Sequence, residues 1–301
     1  MGVPNLYIIG APKCGTTSLC HYLAQHPKIY LPERKEPYYL ANDLNWVSGW
    51  GVTSQLEYEA LYNSKRKYQI DASTWYLYSR SARKVLSEIE GVKIIICLRH
   101  PVNFMESLWW HMRSRGKDTS KNLKKSLVKE IDIKNGSNFR PAPHARAIMY
   151  RENANFAKYV KLFLDEFSPS QIKIIFLEDL SLQLDDTMTE LFSFLDLKPL
   201  TENRKMILNE SFDGKYLSLR TLLNYSSFTR NILSDKRYNS IRVCMKKSLQ
   251  LLNLHRPVKR IRLSYEEWET LTLSFSDEIK ELSTLVNKDL EHWLSGYNSN
   301  I

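Results

Sequence analysis

The sequence predicts an α/β fold, a central parallel sheet of about four or five strands flanked by helices. Three observations carry that expectation. Residues 6–9 (LYII) and Lys93–Leu98 (KIIICL) are short, nearly all-apolar runs, and Tyr68–Asp71 and 172–177 read as two further strands; unbroken apolar runs of this length mark parallel strands buried on both faces. Amphipathic helical patterns lie between them, at 81–90 and 153–167, as parallel crossovers require. The 301 residues, 43% hydrophobic and 25% charged, contain no repeats, low-complexity tracts or Gly/Ser linkers, so residues 1–301 read as one domain long enough to bury a sizeable core.

The first strand runs into the stretch that organises the chain. Gly10 and Pro12 break it, and Gly15-Thr16-Thr17-Ser18 opens a helix with Leu19, Tyr22 and Leu23 at helical spacing. Strand, tight loop and helix N-terminus together form an anion site, because free N–H groups point at the ligand and the helix dipole favours negative charge. Lys13 adds a cation, and Thr16, Thr17 and Ser18 add hydroxyl donors. Cys14 reads as a small residue that fits the turn; the alternative is a thiol whose pKa the helix N-terminus lowers.

Gly10 and Gly15 have the spacing of the nucleotide P-loop, G-x-x-x-x-G-K-[ST], but Thr16 stands where that loop has its lysine. The loop instead resembles the 5′-phosphosulfate loop, P-K-x-G-T-T/S, of sulfotransferases that use 3′-phosphoadenosine 5′-phosphosulfate (PAPS). The resemblance implies a P-loop-like domain in which Lys13, Cys14, Gly15, Thr16, Thr17 and Ser18 hold the 5′-phosphosulfate. Lys13 then also acts in catalysis, beside the bridging oxygen that gains charge.

Residues 26–40 carry Pro27, Pro32 and Pro37, which forbid a long helix and leave an extended, irregular segment. Lys35-Glu36-Pro37-Tyr38-Tyr39 resembles the K-E-P-x-F/Y-[FY] run of heparan-sulfate-type and bacterial sulfotransferases, whose glutamate is the catalytic base. Tyr38 stands where related enzymes often have a histidine, and Lys35 is a candidate to steer the donor. Trp46, Trp50, Tyr58 and Tyr62 are expected to cover one side of the cleft. Residues 72–77 (ASTWYL) resemble the family's segment after its second strand, with Thr74 in the proline place and Ala72 where some glycan sulfotransferases carry a catalytic lysine.

The strand Lys93–Leu98 ends in Arg99-His100-Pro101 rather than in a metal-binding aspartate, and Pro101 starts a helix that carries Ser107. Arg-x-Pro at a strand end followed by Ser two turns on resembles the family's 3′-phosphate site. There the Arg99 guanidinium forks onto the phosphate and Ser107 donates a hydroxyl. Both anion sites then lie at carboxyl ends of parallel strands, where open α/β sheets bind ligands. Trp109 and Trp110 read as packing residues; His111, one turn beyond Ser107, is the reserve candidate for the base.

Residues 113–146 hold ten Lys or Arg against three acids, with Leu123, Leu127 and Ile131 as a helical stripe. The resemblance makes this a variable, basic, acceptor-side insertion suited to an anionic acceptor; a solvated charged face is the equal alternative. Residues 153–167 and the strand after them resemble a further signature, in which Glu178 and Asp179 read as structural. Lys215 and Arg220 lie where the family has a loop closing over the nucleotide, and 264–293 resembles its long C-terminal helix.

The formal charge of +10 suits an anionic ligand, an acidic substrate, nucleic acid or a membrane surface without choosing among them. Cys14, Cys20, Cys97 and Cys244 form no C-x-x-C pair, so neither a disulfide framework nor a zinc site is expected. The first apolar run, four residues, is far too short for a signal core or a membrane span; a cytoplasmic, bacterial-type enzyme is expected. The expected function is sulfuryl transfer from PAPS to an acceptor hydroxyl, on a glycan or hydroxylated small molecule. It leaves 3′-phosphoadenosine 5′-phosphate (PAP), needs no metal, and involves neither nucleic acid nor a membrane span. Two rivals stand beside it, a P-loop kinase or NTPase and a non-enzymatic basic module for anions or nucleic acid.

Overall fold

The computed structural model describes residues 2–44, 51–135, 145–200 and 262–296. Five strands form one parallel sheet: β1 (Leu6–Gly10), β2 (Ile29–Tyr30), β3 (Tyr68–Asp71), β4 (Lys93–Leu98) and β5 (Ile172–Phe176), in the order β2-β3-β1-β4-β5. β2 lies within the proline-rich segment expected to be irregular. It is only two residues long, Ile29 and Tyr30, paired with Tyr68 and Gln69, too short to leave a pattern in the sequence. The residues of β1 and β3 are all buried, and β4 is buried except at the half-buried Lys93, as the apolar runs require.

The sheet order has a switch point. From β1 the chain moves toward β3 and β2, and from β4 it moves toward β5, so the loops after β1 and β4 part on either side of one crevice. Helix α1 (Thr16–Ala24) follows β1, and α2 (Gln55–Ala60) and α3 (Arg80–Ser87) precede and follow β3. After β4 comes α4 (Pro101–Ser114), started by Pro101 behind the His100 cap. Helix α5 (Leu123–Lys134) lies in the basic stretch.

The helix expected over 153–167 is two helices, α6 (Tyr150–Ala154) and α7 (Phe156–Leu164). Asn155 separates them and its side chain accepts from Lys158 N at 3.2 Å, which makes it a cap rather than a helical residue. The Phe156, Val160, Phe163 and Phe167 face is buried as its spacing indicates. Beyond β5 lie α8 (Leu177–Leu182) and α9 (Leu184–Phe194). The long C-terminal helix of the sequence reading is three: α10 (Tyr265–Leu273), α11 (Ser276–Val286) and α12 (His292–Ser295). Phe275 and the left-handed Asn287, φ 48°, mark the breaks.

The amphipathic stripe of α5 is also different. Leu123 is buried, but the next inward positions are Ser126 and Glu130, while Ile131 is exposed. Glu130 accepts from Arg151 N at 2.8 Å and Glu152 N at 2.9 Å, capping α6. Asp118 accepts from Ser120 N, Ser126 Oγ and Tyr150 OH at 2.7–2.8 Å. Two buried acids therefore anchor the described part of the basic stretch; burying such groups is tolerable because their oxygens are hydrogen-bonded.

Candidate active site

The loop after β1 is shaped by glycines. Gly15 precedes α1 at φ 78°, in the left-handed region that glycine enters without a Cβ penalty. A Cβ there would lie 2.6 Å from Leu177 Cδ1. Helix α1 has no side-chain cap and no acid in its first turn, so its leading N–H groups and dipole face outward undiluted. Thr16 is buried, and Thr17 and Ser18 are half-buried. Lys13 is itself left-handed, φ 67°. The Cys14 side chain packs inside the turn. Its thiol is buried against the Pro12 carbonyl, its N–H bonds to Ala11 O at 3.3 Å, and burial pushes its pKa up. It is a neutral packing residue.

The loop after β4 meets the first one directly. Arg99, 8% exposed, donates through Nη1 to the Lys13 carbonyl at 3.3 Å, and Ala11 N donates to Cys97 O at 2.6 Å. Behind them His100 N donates to Glu178 Oε1 at 3.0 Å. The His100 ring caps α4, with Nδ1 accepting from Val102 N at 3.2 Å, and Nε2 lies 3.0 Å from Trp293 O. Both bonds are made by the neutral ring with its proton on Nε2, and burial holds its pKa down to about 4. Asp179 pairs with Lys288, so the two acids of 178–179 are structural, as read. Ser107 is half-buried, two turns into α4.

Glu36 lies at the carboxyl end of β3, because Ala72 N donates to Lys35 O at 3.0 Å. Each carboxylate oxygen has one partner: Lys35 Nζ is 2.7 Å from Oε1, and Tyr38 OH donates to Oε2. Lys35 is thus committed to Glu36. Burial, the largest single influence, favours its neutral amine, but the Glu36 charge and hydrogen bond, with smaller contributions from Cys20 and Cys97, together outweigh it and raise its pKa. Tyr38, in the place of the expected histidine, remains a phenol because burial and the Glu36 charge push its pKa up.

Tyr38 OH lies 3.2 Å from Thr74 Oγ1. Thr74 packs on the anion loop, since a Cβ on Gly10 would come within 2.8 Å of its carbonyl oxygen. Gly10, Thr74, Tyr38 and Glu36 therefore form one contact chain from the β1 loop to the candidate base. His111, the reserve candidate, is half-buried near the C-terminal end of α4. Lys215, Arg220, Trp46 and Trp50 lie outside the described residues. Tyr58 and Tyr62 are buried beneath the Glu36 segment rather than lining an open cleft. Sequence reasoning missed Asp71, Ser73 and Tyr38 as a polar support. The signal was present: Asp-x-Ser at a strand end is the pattern of an Asx-turn, and Ser73 N does donate to Asp71 Oδ1 at 3.0 Å.

A five-stranded parallel α/β sheet with an uncapped helix N-terminus at its switch point defines a P-loop-like fold. Residues 4–254 match the sulfotransferase domain family, and the chain belongs to it. It is 23% identical to human (Homo sapiens) carbohydrate sulfotransferase 15, over 69% of this chain and 46% of that protein. It is 27% identical to membrane-associated sulfotransferase kil1 of Dictyostelium discoideum, over 44% of this chain and 29% of that one. The chain spans less than half the length of these relatives. A crystal structure of a sulfotransferase from Alicyclobacillus acidocaldarius shares the fold, with a TM-score of 0.68 and 22% identity over 97% of this chain and 99% of that one. Among the described residues no helix is long and apolar enough to cross a membrane.

Proposed function

We propose that this chain transfers a sulfuryl group from PAPS to an acceptor hydroxyl, and that residues 1–301 work as one catalytic domain. The observation that carries the reading is the joining of two cationic strand ends, Lys13 and Arg99, at 3.3 Å across the switch point, with Glu36 held at the neighbouring strand end. The residues present suit a nucleotide with phosphates at both ends. The α1 N-terminus, Lys13, Thr16, Thr17 and Ser18 form the 5′ cradle, and Arg99 and Ser107 the 3′ cradle.

PAPS supplies, when bound, the sulfuryl group whose bond to the 5′-phosphate breaks as the bond to the acceptor oxygen forms. Lys13 holds a positive charge where negative charge grows in that step, and charge stabilisation of this kind is worth several kcal/mol. Glu36 takes the acceptor proton. Lys35 and Tyr38 occupy one site on each of its oxygens, which fixes the carboxylate plane and leaves a further lone pair on each for the acceptor hydroxyl. The name of carbohydrate sulfotransferase 15 makes sugar hydroxyls the first acceptors to test, with hydroxylated small molecules next.

The test is calorimetric titration with PAP and ADP, followed by radiolabelled PAPS transfer to an acceptor panel. The reading requires clear preference for PAP and metal-independent transfer. Preference for ADP with Mg²⁺-dependent turnover of ATP would replace it with the NTPase reading.

A further inference from the structure

We propose that Asp71 is a positioning residue for the base, acting by setting the direction of two hydroxyl relays that hold the Glu36 segment; the inference rests on the sulfotransferase reading of Glu36. Asp71 ends β3, is fully buried, and takes four hydrogen bonds. Ser73 N and Ser73 Oγ donate to Oδ1 at 3.0 and 2.6 Å, and Tyr58 OH and Tyr76 OH donate to Oδ2 at 2.8 and 3.1 Å. Two of these hydroxyls hand the order on. Ser73 Oγ accepts from Tyr38 N at 2.9 Å, and Tyr76 OH accepts from Leu40 N at 3.1 Å.

A carboxylate accepts only, and a hydroxyl has one hydrogen. With that hydrogen given to Asp71, Ser73 and Tyr76 can offer only lone pairs to the amides of Tyr38 and Leu40. Polarity thus runs from Asp71 outward, and the two amides are clamped on either side of Tyr39. The clamp matters because Tyr38 sits at φ 56°, the left-handed region that disfavours a side-chain-bearing residue. Released from Ser73, Tyr38 is free to leave that conformation, and its hydroxyl, which holds Glu36 Oε2, leaves with it. Asp71 touches neither Glu36 nor the reacting atoms; it acts through Ser73, Tyr76 and Tyr38.

The test uses the full chain with Ser73→Ala, Ser73→Thr and Asp71→Asn. Hydrogen–deuterium exchange is read on peptides covering residues 36–40, PAP affinity by calorimetry, and single-turnover sulfation at saturating PAPS. Ser73→Ala should speed exchange at 36–40 selectively, leave PAP affinity unchanged, and lower turnover about 10-fold or more, since small misplacements of a reacting group cost this much. Ser73→Thr keeps the hydroxyl and should restore both readouts. Asp71→Asn, if folded, should behave as Ser73→Ala does. Unchanged exchange at 36–40 in a folded Ser73→Ala protein overturns the relay, and faster exchange with unchanged turnover overturns its role in positioning the base. Absence of PAP binding and sulfation in the unsubstituted protein would instead defeat the sulfotransferase reading, while the exchange result still reports the relay.

Discussion

The Arg99 guanidinium donates to the Lys13 carbonyl at 3.3 Å, so the cation after β4 also fixes the backbone of the loop after β1. Arg99→Ala should therefore have two effects. Loss of a charge-assisted contact to the 3′-phosphate should weaken PAP binding by about 1.5–3 kcal/mol. Loosening of the Lys13 loop should weaken ADP binding by less. Titration of both nucleotides separates the terms, and equal losses would remove Arg99 from 3′-phosphate recognition.

Lys13 combines a functional charge with an unfavourable backbone, φ 67°. Lys13→Ala and Lys13→Gly both delete the charge, and both should lower kcat by roughly 10²-fold or more. Only glycine relaxes the backbone, so Lys13→Gly should be more stable than Lys13→Ala by about 1 kcal/mol. Thermal unfolding beside single-turnover kinetics checks this; a change in KM alone would reduce Lys13 to a binding residue.

For the base, Glu36→Gln preserves size and polarity but removes the basic oxygen. It should retain PAP affinity and lose roughly 10²–10⁴-fold in turnover. Tyr38→Phe, which deletes the donor to Oε2, should fall between Glu36→Gln and the unsubstituted protein. Near-normal turnover in Glu36→Gln with collapse in His111→Ala would move the base to α4.

The strand-end placement of the two candidate anion loops was legible in the sequence because each is local: Lys13 to Ser18, and Arg99 to Ser107, lie within a turn or two of a recognisable buried strand. The support under Glu36 was not. Asp71 gathers Ser73 and Tyr76 from its own turn, Tyr58 from α2, and the Tyr38 and Leu40 amides from a segment more than thirty residues upstream, and such tertiary bonds leave no periodicity to read. Helix ends were misjudged for a related reason. Asn155 and Asn287 sit inside good amphipathic spacing, yet one caps a new helix and the other turns left-handed, choices that packing makes and propensity does not. The inward Glu130 of α5 ran against the expectation that an apolar stripe decides a helix face.

Two buried titrating groups beside the site should give acid dependences of opposite sign. His100 must stay neutral to cap α4, and burial holds its pKa down to about 4 against 6.5 unfolded. Its contribution to stability is complete above pH ~6.5 and is lost as pH falls toward 4, about 3 kcal/mol at full extent. Asp71 runs the other way. Burial raises its pKa from 3.8 to about 6, against the lowering effect of its four hydrogen bonds. The folded state therefore binds the proton more readily than the unfolded chain, and about 3 kcal/mol of stability present below pH ~4 is lost as pH rises to about 6. The two terms largely cancel in the unsubstituted protein between pH 4 and 6. Substitution separates them. His100→Asn keeps a capping side chain but no titrating ring, so its destabilisation, measured by urea unfolding, should shrink between pH 7 and pH 4. The destabilisation caused by Asp71→Asn should grow over the same range. Changes of the same sign in both variants would mean that one of these groups holds a different charge in the folded protein from the one its hydrogen bonds require.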